Sequence, residues 1–142
     1  MKRLAIALAL LAAAPAFAQQ PGSTQIETEA RPLLDAWIAN FNRGDVAGMA
    51  KDVYVQADEA ALTKAFTEMR DENFGKLDVY GASVCGSSAT HGKAIIRFGR
   101  LYSFGGLMNG DEAKQFEIVK TDNGWRVANE SDVAYATVLS CD

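Results

Sequence analysis

The feature that most constrains this chain is a change of hydrophobic period near Lys76. Before it, apolar residues recur at three- and four-residue spacing; after it, they alternate with polar ones. The first pattern makes amphipathic helices and the second makes antiparallel strands with one buried face. Helices grouped ahead of strands predict an α+β domain, with N-terminal helices packed on a curved antiparallel sheet of four to five strands. A concave sheet closed by a long helix forms a cone, or half-barrel, with a pocket at its open end.

Helix one is predicted from Thr24, which forms a capping-box pattern with Glu27. Ile26, Ala30, Leu33, Leu34, Trp37, Ile38 and Phe41 define its apolar face, with Asp35 and Asn40 pointing away. Pro32 predicts a kink, or a true start near Arg31, because proline removes a helix hydrogen bond and clashes with the preceding turn. Gly44 then suits the left-handed C-terminal position and Asp45 the N-cap of a second, short helix. That helix turns Val46, Met49, Ala50 and Val53 inward and closes at Tyr54. A third follows the cap Asp58, directs Ala61, Leu62, Ala65, Phe66 and Met69 to the core, and stops at Gly75.

Strands are predicted over 77–85, 93–104, 113–121 and 125–129, with a last one over 133–139. Asn109-Gly110 and Asp122-Asn123-Gly124 mark turns. In the second strand Ala94, Ile96, Phe98, Tyr102 and Phe104 share a face, and Gly99 predicts a bulge or bend.

Ahead of this domain, Lys2 and Arg3, an apolar run over 4–14 and Ala16-Phe17-Ala18 read as a signal peptide cleaved near Ala18. The run is too short to span a bilayer, which takes about 20 residues. Gln19 stands where a lipoprotein would carry cysteine, so no membrane anchor is expected. The expected product is a single domain over 19–142, periplasmic or secreted. Its charge would be twelve basic against eighteen acidic residues, or −6. That balance argues against nucleic acid, which demands a basic patch.

Cys85 and Cys141 are the two cysteines, an even number that reads first as a disulfide in an oxidising compartment, with free or intermolecular thiols as the alternative. His91 is the only histidine, so no metal site is expected. No cofactor is expected either.

The stretch Trp37-Ile38-Ala39-Asn40-Phe41-Asn42-Arg43-Gly44-Asp45 and the hairpin over 120–127 ending in Gly-Trp-Arg-Val resemble the nuclear transport factor 2-like, or cystatin-like, superfamily. The likeness covers nearly all of residues 19–142, and is strongest to small exported members of unassigned function. It implies the cone fold, a habit of dimerising through the outer sheet face, and a choice among isomerases, dehydratases, cyclases and inert binding modules. In the superfamily's ketosteroid isomerases a helix-one tyrosine donates to the oxyanion; Trp37 takes its place here. The catalytic aspartate would fall near Ala61, with Asp58 and Glu59 just before it. Neither role transfers cleanly, so the catalytic residues are unassigned.

Trp37, Phe41, Tyr54, Phe98, Tyr102, Phe104, Phe116 and Trp125 are the candidate pocket wall, although a domain this small also needs such side chains to fill its core. Arg100 shares its strand parity with Phe98 and Tyr102, which places a cation on the concave face, where a partner or an anionic ligand is required. Two other placements compete: a bulge at Gly99 would turn Arg100 to water, or it would pair with Glu117. Asp58, Glu59, Asp71 and Glu72 read as caps or solvated helix faces, and His91 as exposed. Asn129-Glu130-Ser131 matches the short glycosylation pattern. The expectation is an exported domain that binds a small apolar or anionic molecule, or an envelope protein. The alternative is an isomerase, dehydratase or cyclase using the same pocket.

Overall fold

The computed structural model describes residues 23–72, 74–102 and 112–141. The leader over 1–18, Phe104 and the Asn109-Gly110 turn lie outside the described residues.

Helix α1, Ser23–Arg43, runs through Pro32 and does not start near Arg31. Pro32 is exposed, so its ring lies on the solvent side, while Ile26 and Ala30 ahead of it are buried and dock the first turns on the sheet. At that crossing a Cβ on Gly86 would run into Ile26 Cδ1, so any larger residue would force the Ile26 side chain to turn aside. Asn40 does not point away. Among the described residues it is the buried polar side chain, accepting from Arg43 Nη2, while its carbonyl accepts from the Asp45 N–H at 2.9 Å. The helix end folds back on itself there, which turns a nominally outward position inward.

Gly44 takes φ of +61° and Asp45 Oδ1 accepts from the Gly48 N–H at 2.8 Å, as a left-handed stop and an N-cap require. One α-helical turn, α2 (Val46–Gly48), leads into a π-helical turn, Met49–Val53. The wider turn, closed by Tyr54 N–H to Met49 O at 3.1 Å, buries Met49 and Val53. It also delivers Tyr54 in an extended conformation, bridged to Val127.

Helix α3, Glu59–Asp71, begins at the Asp58 cap, whose Oδ1 accepts from the Ala61 N–H at 2.9 Å. Its apolar face is not closed over the core. Leu62, Phe66 and Met69 are half-buried, and Ala61 and Ala65 are exposed. The helix touches α2 and the start of the sheet and leaves a hollow on each side.

Among the described residues four antiparallel strands form a meander in the order β1 (Phe74–Gly86), β2 (His91–Tyr102), β3 (Glu112–Thr121) and β4 (Gly124–Val133). Extra residues enter β1 at Gly75 and Tyr80 and β4 at Ala128. Gly99 pairs in register with Asp78, so the bend expected there is made on the partner strand. Leu77, Val84, Ala94, Ile96, Phe98 and Phe116 line the concave face against α1.

Residues 134–141 are not a fifth strand. They cross the outer face of β1 and β2 as a tail. Arg97 donates to the carbonyls of Tyr135 at 3.0 Å and Thr137 at 2.6 Å, and Lys93 to that of Ser140 at 3.0 Å. The side chains of β2 thus satisfy carbonyls that a sheet neighbour would otherwise take. Beneath this strap Ile95, on the outer face, is fully buried. The Cys85–Cys141 disulfide ends it, closing a separation of 56 residues. His91 opens β2 and is exposed.

A loop of that length is worth about 4 kcal/mol in the chain-entropy account. The Cys85→Ser, Cys141→Ser pair is expected to lower the unfolding free energy by about 2–4 kcal/mol, measured by urea denaturation. Near the start of α1, Glu29 accepts from Lys120 Nζ at 2.6 Å, Gln25 Nε2 at 3.0 Å and Trp125 Nε1 at 3.4 Å. These donors, Lys120 first, pull its carboxyl from the ordinary 4.5 to about 2. A depressed carboxylate stabilises the fold above its unfolded pKa and loses that contribution as pH falls through the folded one. The protein is therefore expected to weaken between pH 4.5 and about 2, and Lys120→Met to flatten that part of a stability-against-pH curve.

Candidate functional site

The site is built where α1, the extended residue after the π-helical turn, and the concave sheet converge. Trp37 is buried on the last turns of α1. Its ring stacks on Phe41 with centroids 4.9 Å apart and meets Phe116 edge-on at 5.2 Å. Phe41 in turn meets Phe66 of α3 edge-on at 5.5 Å. Such pairs are each worth about 0.5–1.5 kcal/mol beyond their buried area. They fix the aromatic floor of a cavity of about 280 Å³ between α1, α3 and the sheet.

Trp37, Phe41, Tyr54, Phe98 and Arg100, five of the candidate wall residues, line this cavity together. Phe116 lies behind Trp37 and is fully buried, backing the floor instead of facing the hollow. Tyr102 ends β2 opposite Phe74, and its side chain lies outside the described residues. Trp125 is buried at the far end, against Glu29, and takes no part.

A polar wire crosses the hollow. Trp37 Nε1 donates to the Tyr54 hydroxyl at 3.3 Å, which donates to Glu130 Oε2 at 2.6 Å. Lys114 Nζ holds the other oxygen, Oε1, at 3.1 Å and reaches Asp132 Oδ1 at 3.2 Å. Burial pushes the Tyr54 phenol up beyond the ordinary tyrosine range, the negative charge of Glu130 and their hydrogen bond add to this, and the Trp37 hydrogen bond opposes it. The phenol is thereby held as a proton donor.

Arg100 takes its concave position, since no bulge intervenes at Gly99. Its partner is not Glu117 but Glu112, whose Oε2 accepts from Nε at 3.1 Å and Nη2 at 2.9 Å. Its guanidinium also sits 5.1 Å from the Phe74 ring centroid. Glu117 is exposed on the outer face.

Lys114, Glu130 and Glu112 were absent from the expected wall. Strand parity carried the signal for two of them: Glu112 and Lys114 share the parity of Phe116 and so lie on the concave side, where Lys114 lines the hollow and Glu112 holds Arg100. Glu130 stands opposite Phe116, but the extra residue at Ala128 shifts the alternation of β4 and hides it. Its Asn129-Glu130-Ser131 setting read only as a glycosylation pattern. Asp58, Ala61 and Glu59 lie on the exposed start of α3, outside this cavity. Trp37 keeps a donor role, aimed at Tyr54.

No family model matches the chain, and no curated protein matches it. Solved structures do. A candidate aromatic ring hydroxylase from Novosphingobium aromaticivorans superimposes with a TM-score of 0.62 at 16% identity, over 86% of this chain and 95% of its own. A cystatin-like protein of unknown function from Nostoc punctiforme gives 0.59 at 12%, over 74% and 87%. A nuclear transport factor 2-like protein of unknown function from Pseudomonas putida gives 0.58 at 18%, over 78% and 87%. With three helices packed on a four-stranded antiparallel open sheet, the chain has the cystatin-like fold of the nuclear transport factor 2-like proteins.

Proposed function

We propose that this chain is an exported, non-catalytic domain that holds a small, largely apolar molecule in the mouth of its cone. The observation that carries this reading is a hollow of about 280 Å³ with aromatic walls in which Arg100, Lys114 and Glu130 each have a countercharge within the chain, while the carboxylates of Glu68 and Glu72 stand exposed at its rim. Glu130 is held by Tyr54 and Lys114, and Arg100 by Glu112. The countercharge for Arg100 thus comes from within the chain. That favours the apolar half of the expected ligand class for this cavity, with the Tyr54 hydroxyl and Glu130 as polar contacts that orient it.

Export is supported by the leader-like segment over 1–18 and by the Cys85–Cys141 disulfide, a bond that persists in oxidising compartments such as the periplasm or the cell exterior. No helix among the described residues is long and apolar enough to cross a membrane. A homodimer or an envelope partner docking on the outer sheet face would meet the strap over β1 and β2, and polar residues such as Gln115 and Asn129 on β3 and β4.

One observation favours the second reading, an isomerase, dehydratase or cyclase: a phenol and a carboxylate sit together in the cavity. Proton transfer at neutral pH works best with a group poised near that pH. Burial moves Tyr54 the other way, which is why binding is preferred.

Naphthol, a neutral aromatic with one hydroxyl, is the probe. It is expected to shift the Trp37 indole and Tyr54 resonances in NMR spectra, and at about a hundredfold excess over Kd to stabilise the fold by about 3 kcal/mol. Ala65→Trp, at an exposed position lining the cavity, is expected to weaken it about tenfold or more while the fold melts normally. Equal binding by that variant, or no shift at Trp37, would overturn the assignment. Recovery of a chemically altered probe would move it to the enzymatic reading.

A further inference from the structure

A second hollow, about 420 Å³, opens on the other side of α3, between that helix, the corner after α1 and the start of β1. It shares Phe41, Phe66, Met69 and Arg100 with the cone mouth as a common wall, but its electrostatics differ. Four cations line it, Arg43, Arg70, Lys76 and Arg100, and among the described residues no carboxylate does. In a chain with more acidic than basic residues, such a one-sided lining stands out.

Two of the four are engaged by groups outside the hollow. Arg100 is held by Glu112, and Arg43 by the Asn40 amide, with Asp45 at 3.6 Å. The other two are not neutralised to the same degree. Arg70 lies 3.8 Å from Asp71, with both side chains at least 70% exposed, a pair that water screens heavily. Lys76 forms no ion pair among the described residues. Between these charges the rings of Phe41, Phe66 and Phe74 give an apolar surface, interrupted by Asn42, Thr63 and Thr67. A bare inorganic anion would leave those rings uncovered, and a neutral apolar molecule would leave the cations without a counterion. An anion joined to an apolar body satisfies both.

We propose that this cleft binds an organic carboxylate with an apolar chain, its head between Arg70 and Lys76 and its chain against the phenylalanine rings. The site is independent of the cone-mouth reading, because neither Arg70 nor Lys76 lines that cavity. Octanoate, octanol and inorganic phosphate make the test, titrated into the full chain and followed by NMR. Octanoate is expected to shift Thr63, Thr67 and Lys76, which line the cleft, and to leave the Trp37 indole in place. The Arg70→Ala, Lys76→Ala pair removes two exposed charges and is expected to weaken octanoate about five- to tenfold without changing the melting temperature. Arg70→Lys in place of Arg70→Ala is expected to restore part of the loss. Raising the salt concentration should weaken octanoate and leave octanol unaffected. Octanol binding as well as octanoate, phosphate binding as well as octanoate, or an unchanged affinity in the double variant would each overturn the proposal. Shifts confined to Trp37 and Tyr54 would overturn it too, while leaving the cone-mouth reading intact.

Discussion

Everything in this domain depends on how Trp37 is seated. A long amphipathic helix can lie on a sheet in several ways. Here the indole fixes one of them by meeting Phe116 across the interface, Phe41 along its own helix and the Tyr54 hydroxyl through its one N–H. The apolar contacts set the distance, and the hydrogen bond sets the direction, since a buried indole N–H must find an acceptor. Because the Tyr54 hydroxyl in turn donates a hydrogen bond to Glu130, helices and sheet are tied across a gap instead of being packed shut. That is the physical origin of the hollow.

The same construction explains why the concave face tolerates charge. Lys114 and Glu130 are about 18% and 32% exposed, and each would be costly there alone. Paired, and joined to Tyr54 and Asp132, they form a small network with its donors and acceptors matched; among the described residues no buried side-chain polar atom lacks a partner. Arg100 and Glu112 repeat the arrangement nearer the open edge. The outer face is managed differently, by a strap of main chain whose carbonyls are taken by Arg97 and Lys93 and whose end is fixed by the disulfide.

Much of this was legible in the sequence, for identifiable reasons. The alternation around Ala94, Ile96 and Phe98 set strand β2 and its inward face, and the same parity put Arg100 beside Phe98. Gly44 and Asp45 named the corner after α1 because few residues suit those backbone positions. Other features needed three-dimensional context. The apolar stripe of α3 says which face prefers shelter, yet not what covers it, and in the fold little does. Residues 133–139 alternate like a strand, but only Val133 joins one, as the end of β4, and the carbonyls of Tyr135 and Thr137 beyond it go to the Arg97 side chain of β2. Asn40 was read as solvated because its burial is created by the turn that follows it. Glu130 was hidden by one extra residue in β4.

The tie across the cone is tested most directly by a double-mutant cycle between Tyr54→Phe and Glu130→Gln, read from urea unfolding of the four proteins. A hydrogen bond from a half-buried phenol to a carboxylate predicts a coupling of about 1–2 kcal/mol. Additivity to within about 0.3–0.5 kcal/mol would mean that the two groups do not act as a pair, and the account of the hollow would fail with it.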